Sequence, residues 1–307
     1  MLAQSHTVGM DQRVAQSWPA SVDPFGRGIQ RFERYGGALE FMARGDPKLR
    51  PLVVLHSLEY PGWSDEAFCK QAEANGFQTI CIRRPGFGAV PPLPDPDRQA
   101  QLIGAFLDSL GRKDVVIVSS GTGNTLSYRL ARHPSVRLVA VCNCFFNYDP
   151  MAEIRPDWFA RHIEQTLTSM TGARLALMGL KSAKGLFGKF WVTENFVQKS
   201  PGDLEYLRQN KALFGEAMDA INLGTDIHTF LTELRSSLSV DPVLHDGCFA
   251  DAPVISVSGR ENSDSWKAGI EAEADRVGVP LHYLSSGDAL VMYQSAGELM
   301  DTLRQYA

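Results

Sequence analysis

The stretch from Asp114 to Pro134 constrains the fold more than any other. Val115-Val116-Ile117-Val118 is an unbroken run of β-branched residues. Such a run reads as a strand buried on both faces, the mark of a parallel sheet. It breaks into Ser119-Ser120-Gly121-Thr122-Gly123, and helical spacing begins at once with Thr125-Leu126-Ser127-Tyr128-Arg129-Leu130. A chain that passes from strand to helix this abruptly needs small residues at the bend. The backbone is crowded there, and glycine alone takes a positive φ without strain.

The rest of the chain repeats that alternation. Ile29 to Tyr35 and Ala38 to Ala43 alternate on either side of Gly36-Gly37, which predicts a hairpin. Leu52 to His56 and Phe77 to Ile82 are further buried strands, separated by a helical pattern from Ser64 to Asn75 that stops at Gly76. Asp95-Pro96-Asp97 supplies start signals for a helix reaching Leu110, and Val136 to Cys142 follows as a strand. From Phe145 to about Cys248 the periodicity is helical, and within it Pro201-Gly202-Asp203-Leu204 reads as a turn opening a helix from Asp203 to Phe214. Strand, helix, strand and helix then return at 253–258, 264–277, 280–285 and 295–306. Alternation of this kind implies a mostly parallel sheet covered by helices on both faces. The expected organisation is an N-terminal arm at 1–27, a core at 28–147 and 249–307, and a helical cap at 148–248.

Composition excludes several classes. The chain has 307 residues, enough for one large α/β core with an insertion, and a formal net charge of -5. That charge favours neither nucleic acid nor an anionic membrane. No apolar run reaches the roughly 18 residues of a membrane span, and the first residues show no basic stretch leading into an apolar one. Five cysteines without a dense framework fit reduced thiols in a cytoplasmic protein. Cys142-Asn143-Cys144 lacks a second ligand pair, so burial is expected rather than metal binding. Gly121-x-Gly123 lacks the third glycine of a dinucleotide fingerprint, since Leu126 stands in its place. No cofactor and no metal are expected.

The element order, together with three local motifs, resembles the α/β-hydrolase superfamily, in particular its cap-bearing esterase and lipase-like branch. Leu55-His56-Ser57 stands where the family has its oxyanion-loop motif, Arg84-Pro85-Gly86-Phe87-Gly88 matches the loop after the fourth strand, and Arg132-His133-Pro134 ends the helix after the bend. The resemblance implies an α/β-hydrolase fold over residues 28 to 307. The bend would be a nucleophile elbow, with a serine, an acid and a histidine in that chain order.

None of those three groups stands where the resemblance puts it. Counting from the strand, the apex of the elbow is Gly121. Counting from the helix end, it is Ser120, with Val118 then crowding the turn. The acid position, in Gly259-Arg260-Glu261-Asn262, reads Asn262. Glu261 points elsewhere, Asp264 suits the start of the next helix, and Asp149 is an acid location used by some relatives. The base position, in Ser286-Gly287-Asp288-Ala289, reads Asp288, and the nearest histidine, His282, comes six residues early. His56, Ser57 and Thr122 would line the oxyanion side of the pocket, with His56 shaping the loop.

Two classes of function follow. One is a protein with a degenerate triad that binds or senses a small apolar molecule beneath its cap. The other is an enzyme: an esterase using Ser120, or a lyase or isomerase using Asp288 as acid or base. The aromatic-rich segment Leu186 to Val197 serves cap packing, a ligand pocket or a homodimer face, three uses that the sequence leaves open.

Overall fold

The computed structural model describes residues 28–58, 62–87, 90–143, 156–188, 190, 191, 194, 200–212, 215, 227–238 and 241–307. Eight strands form one sheet: β1 (Gln30–Arg34), β2 (Gly37–Arg44), β3 (Arg50–Leu55), β4 (Phe77–Arg83), β5 (Val115–Ser120), β6 (Val136–Cys142), β7 (Val254–Gly259) and β8 (Leu281–Leu284). Their spatial order is β1-β2-β4-β3-β5-β6-β7-β8. β2 runs antiparallel to β1 and β4, and all other pairs are parallel. The hairpin turns on Tyr35 (φ 53°) and Gly36 (φ 72°). Two successive positive φ values match the twist of the flanking strands.

The unbroken apolar runs have a direct cause. Val116 and Val118 of β5 join Leu52 and Val54 of β3 in a cluster with Trp63, Phe68, Leu299 and Leu303. Val115, Ile117, Val53 and Leu55 face the other way, onto Ile103, Phe106, Leu126 and Val277. Successive side chains point to opposite faces, so a strand covered on both faces must be apolar at every position. Each such burial contributes about 1.5–3 kcal/mol.

Helices α1 (Glu66–Ala74), α2 (Pro96–Ser109) and α3 (Asn124–Leu130) precede β6. Among the described residues four more are complete between β6 and β7: α4 (Asp157–Leu167), α5 (Met170–Phe187), α6 (Pro201–Gln209) and α7 (Ile227–Leu238). Among the described residues this insertion contains no strand. After β7 come α8 (Asp264–Val277), the short α9 (Val291–Gln294) and α10 (Ala296–Tyr306). Asp65, Asp95 and Ser263 cap α1, α2 and α8 with side-chain oxygens on first-turn N–H groups.

One expectation about the insertion is corrected. The residues Pro201-Gly202-Asp203-Leu204 predict a helix opening at Asp203 and reaching Phe214. The helix instead starts at Pro201, and Ser200 is the cap, its hydroxyl accepting from the Asp203 N–H. Pro at the first position and Ser before it are the stronger start signal. The Asp203 carboxylate is thereby released to face the core. Phe214 lies outside the described residues.

The insertion is docked at several points. Ala173 and Leu177 of α5 pack with Phe230 and Leu231 of α7, and Leu58 of the core joins them. The Tyr206 hydroxyl of α6 donates to the Asp65 carboxylate that caps α1. Leu244, Cys248 and Phe249, which follow α7, already pack with the sheet. Cys142 is buried in the sheet, and Cys144 lies outside the described residues.

Candidate functional site

The site is built where β5 leaves the sheet. Ser120 is the last extended residue (φ -141°, ψ 152°), and Gly121 turns the chain with φ 51° into a 3-10 turn over Gly121–Gly123. Glycine is required again at Gly123. A Cβ there would lie 2.6 Å from the Leu55 carbonyl oxygen and 2.8 Å from that of His56. The bend is thus pressed against the end of β3. The Ser119 hydroxyl donates to Asn124 Oδ1 at 2.7 Å, closing the bend from inside. Ser120 is 2% exposed, and its Oγ is sealed from solvent with no hydrogen-bond partner among the described residues. Gly121 itself is exposed.

Thr122 is the hub. Its Oγ1 accepts from the Leu58 N–H at 3.1 Å and from Arg84 Nη2 at 3.1 Å. The Leu58 N–H, in the loop after β3, is thus taken up by a side-chain oxygen. Arg84 also forms a two-pronged pair with Glu233 of α7, with contacts of 2.9 and 2.7 Å. Arg84 and Glu233 are both buried. The guanidinium lies 4.9 Å from the centre of the Phe87 ring.

His56 is fully committed. The Ser57 carbonyl can only accept, so Nδ1 donates to it, at 2.6 Å. The Arg84 N–H can only donate, so Nε2 accepts, at 3.3 Å. Burial first, then the charge of Arg84, holds the His56 pKa well below its ordinary value. A neutral ring with both nitrogens used is a link between the loops after β3 and β4. Ser57 is buried beside it.

The second half of the site lies one strand over. Ser120 pairs with Cys142, so the next residue, Asn143, sits beside Gly121 at the carboxyl edge of the sheet. Like Gly121 it has a positive φ, 46°. Asn143 Oδ1 accepts from Trp266 Nε1 at 3.1 Å and from Asn262 Nδ2 at 2.9 Å; its Nδ2 donates to Asp288 Oδ1 at 3.3 Å. The indole N–H fixes the orientation of the Asn143 amide. Asn262 Nδ2 also reaches the Gly259 carbonyl at 3.1 Å, which leaves Asn262 Oδ1 buried and without a partner among the described residues. Burial is the first cause raising the Asp288 pKa, the Asn143 hydrogen bond opposes it, and the neighbouring charge of Glu261 adds to it.

The insertion reaches this half too. The Asp203 carboxylate, wholly buried, accepts from the N–H groups of Asp288 and Leu290 at 3.1 and 3.3 Å and from the Gln294 side chain. Burial pushes its pKa up to about 6, against the backbone hydrogen bonds that favour the charge. Ser200 donates to Glu261 at 2.9 Å.

Of the positions singled out in the sequence, Asn262 and Asp288 are thus joined through Asn143 beside Gly121, while Ser57, Thr122 and His56 form the opposite side. Asp149 lies outside the described residues. Sequence reasoning missed Asn143, Arg84, Glu233 and Asp203 as parts of the site. Asn143 and Arg84 were legible in principle, being the first residues after β6 and β4. Among the described residues no three His, Cys, Asp or Glu side chains group closely enough to hold a metal ion. An open groove of about 750 Å³ runs between α2 and α3, lined by Tyr35, Tyr128, Arg132 and Phe249 among others, and it includes no residue of the elbow network.

A mostly parallel eight-stranded sheet, an elbow after β5 and a helical insertion after β6 define an α/β-hydrolase architecture. The model described as the alpha/beta hydrolase family matches residues 52–291, and the chain belongs to that family. A comparison with curated proteins found no match. Among solved structures, an epoxide hydrolase from Vigna radiata superposes with a TM-score of 0.65 at 14% identity, over 91% of this chain and 97% of that one. A bromoperoxidase from Bacillus anthracis gives 0.62 at 16% identity, covering 88% and 95%. An enol-lactonase from Burkholderia xenovorans gives 0.59 at 14%, covering 90% and 98%. At these identities the likeness is one of fold.

Proposed function

We propose that this chain keeps the hydrolase architecture without serine-hydrolase chemistry, and that its cap (residues 148–248) covers a site for a small, largely apolar molecule that the protein binds or senses. The observation that carries this is Gly121 at the positive-φ residue of the elbow. The family's nucleophile belongs there, and glycine has no group to present. Two further features support the reading. Asn262 carries no charge to stabilise an imidazolium, and Asp288 stands in for the base. Loss of a triad leaves only about 10³–10⁴-fold rate enhancement over water, from binding and oxyanion donors. Here the Leu58 N–H is engaged by Thr122. The competing esterase reading needs Ser120 as nucleophile, and the sealed position of its hydroxyl speaks against it.

The reading extends to a cytoplasmic protein with reduced thiols, and no described helix is long and apolar enough to cross a membrane. The test is turnover of p-nitrophenyl butyrate. The expected rate is no more than that residual enhancement, unchanged in Ser120→Ala. Turnover that the Ser120→Ala variant abolishes contradicts the proposal.

A further inference from the structure

The outer side of α5 carries apolar surface that folding leaves unused. Its inner side is spent on packing: Ala173 and Leu177 meet Phe230 and Leu231 of α7. Among the described residues, seven of the nine large apolar side chains that stand exposed lie between Trp158 and Trp191. On α5 itself Leu175, Met178 and Leu186 are 61%, 63% and 78% exposed. At 3.6 residues per turn these three fall within about 80° of arc, so they form one stripe along the helix. A Cβ added at Gly179 or Gly185 would meet nothing within 4 Å, so the helix is open along that stripe. Beside its C-terminal end the exposed Phe187 ring stacks on that of Trp191, with centroids 4.9 Å apart. Surface monomers rarely leave so much contiguous apolar area without a partner for it.

Charge selects the partner. α5 contains Arg174, Lys181 and Lys184 and no Asp or Glu. Arg174 and Lys181 are both exposed, and their spacing of seven residues sets them along one edge of the stripe. The net charge of -5 belongs to the whole chain, and α5 is a local reversal of it. Beyond about 8 Å exposed charges are largely screened at physiological ionic strength, so a surface touching α5 feels its cations more than the distant acids. A second copy of this helix brings the same cations and no acid to meet them. A bilayer with anionic headgroups meets both parts: acyl chains take the stripe, and headgroup charges take the cations. Tryptophan at the margin of such a stripe suits the boundary between the two.

We propose that α5 seats the cap on the surface of an anionic lipid bilayer, with Leu175, Met178, Leu186 and Phe187 in the acyl boundary and Arg174 and Lys181 on the headgroups. The helix lies in the plane of the surface and crosses nothing. This seating is independent of the state of the triad, so it stands or falls apart from the reading above.

The test is flotation of the full-length protein with vesicles of phosphatidylcholine alone and of phosphatidylcholine and phosphatidylserine in equal amounts. The protein is expected to float with the mixed vesicles at about 0.1 M salt and to be largely released at about 1 M, where the screening length falls to about 3 Å. Arg174→Gln/Lys181→Gln is expected to weaken binding to the mixed vesicles about 25-fold, about fivefold for each cation removed. Leu175→Ser/Met178→Ser/Leu186→Ser should weaken it at least about tenfold through lost apolar burial. All five side chains are exposed, so both variants should keep the unfolding midpoint of the wild type. The glutamine variant leaves every apolar side chain in place and decides the matter if the serine variant proves unstable. Equal binding to the two kinds of vesicle, binding that the glutamine variant leaves unchanged, or no binding to either overturns the proposal. A dimer in sedimentation velocity that the serine variant dissociates also overturns it, by giving the face to a second copy.

Discussion

Arg84 and Glu233 show how a pair of residues can set the state of the whole site. Neither is exposed, so neither is solvated, and each depends on the other. Removing one partner of a buried pair leaves an uncompensated charge and costs about 3–5 kcal/mol. Glu233→Leu is therefore expected to lower stability by about that amount in urea denaturation. The double variant Arg84→Met/Glu233→Leu should recover most of it, because the desolvation cost disappears with both charges. Asp203 gives a pH signature. Its folded pKa of about 6 lies above the ordinary value of 3.8. Its contribution is thus fully present below pH 4 and lost as pH rises through 6, by about 3 kcal/mol at 1.36 kcal/mol per unit. Asp203→Asn should remove that part of the stability slope between pH 4 and 7, measured as denaturation midpoint against pH. An unchanged slope in the variant assigns the effect elsewhere.

At the scale of elements, the docking of α7 onto the core turns on one glycine. Gly86 has φ 86°, and a Cβ there would lie 2.0 Å from Thr229 Oγ1. Gly86→Ala is expected to lift α7, loosen the Arg84–Glu233 pair and cost about 2–3 kcal/mol. Thr229→Gly in that background should remove the steric part and leave about 1–2 kcal/mol of left-handed backbone strain. Protease sensitivity within α7, compared between the two variants, reads the lift directly. Elements were also where the sequence was most readable. The central strands β3 to β7 are buried almost throughout, so unbroken apolar runs exposed them, and α8 was read over 264–277 with Asp264 as its cap, whereas Ser263, one residue earlier, supplies it. The start of α6 was misjudged because the acid at Asp203 looked like a cap, while Ser200 and Pro201 supplied one sooner. The interlocks were not legible at all. Arg84 and Glu233 are 149 positions apart, and nothing local in a charged residue on a helix says that it will be buried against a partner.

For the molecule as a whole, the sheet order, the elbow and the helical insertion make the chain a member of the alpha/beta hydrolase family. Gly121, Asn262 and Asp288 make it, on the reading proposed above, a member that no longer hydrolyses. The positions were legible because the architecture fixes them at the ends of β5, β7 and β8. What fills the space between them was not, since it depends on Asn143 and Thr122 being oriented by contacts distant in sequence. Gly121→Ser/Asn262→Asp/Asp288→His is expected to gain hydrolytic activity only weakly, because the Thr122 hydroxyl still occupies the Leu58 N–H. Adding Thr122→Ala should raise it, measured as ester turnover. The most direct test of the central claim is intact mass of the wild-type chain after exposure to a fluorophosphonate probe. No added mass is predicted, for wild type and Ser120→Ala alike. A stoichiometric adduct on wild type that Ser120→Ala abolishes would contradict the account.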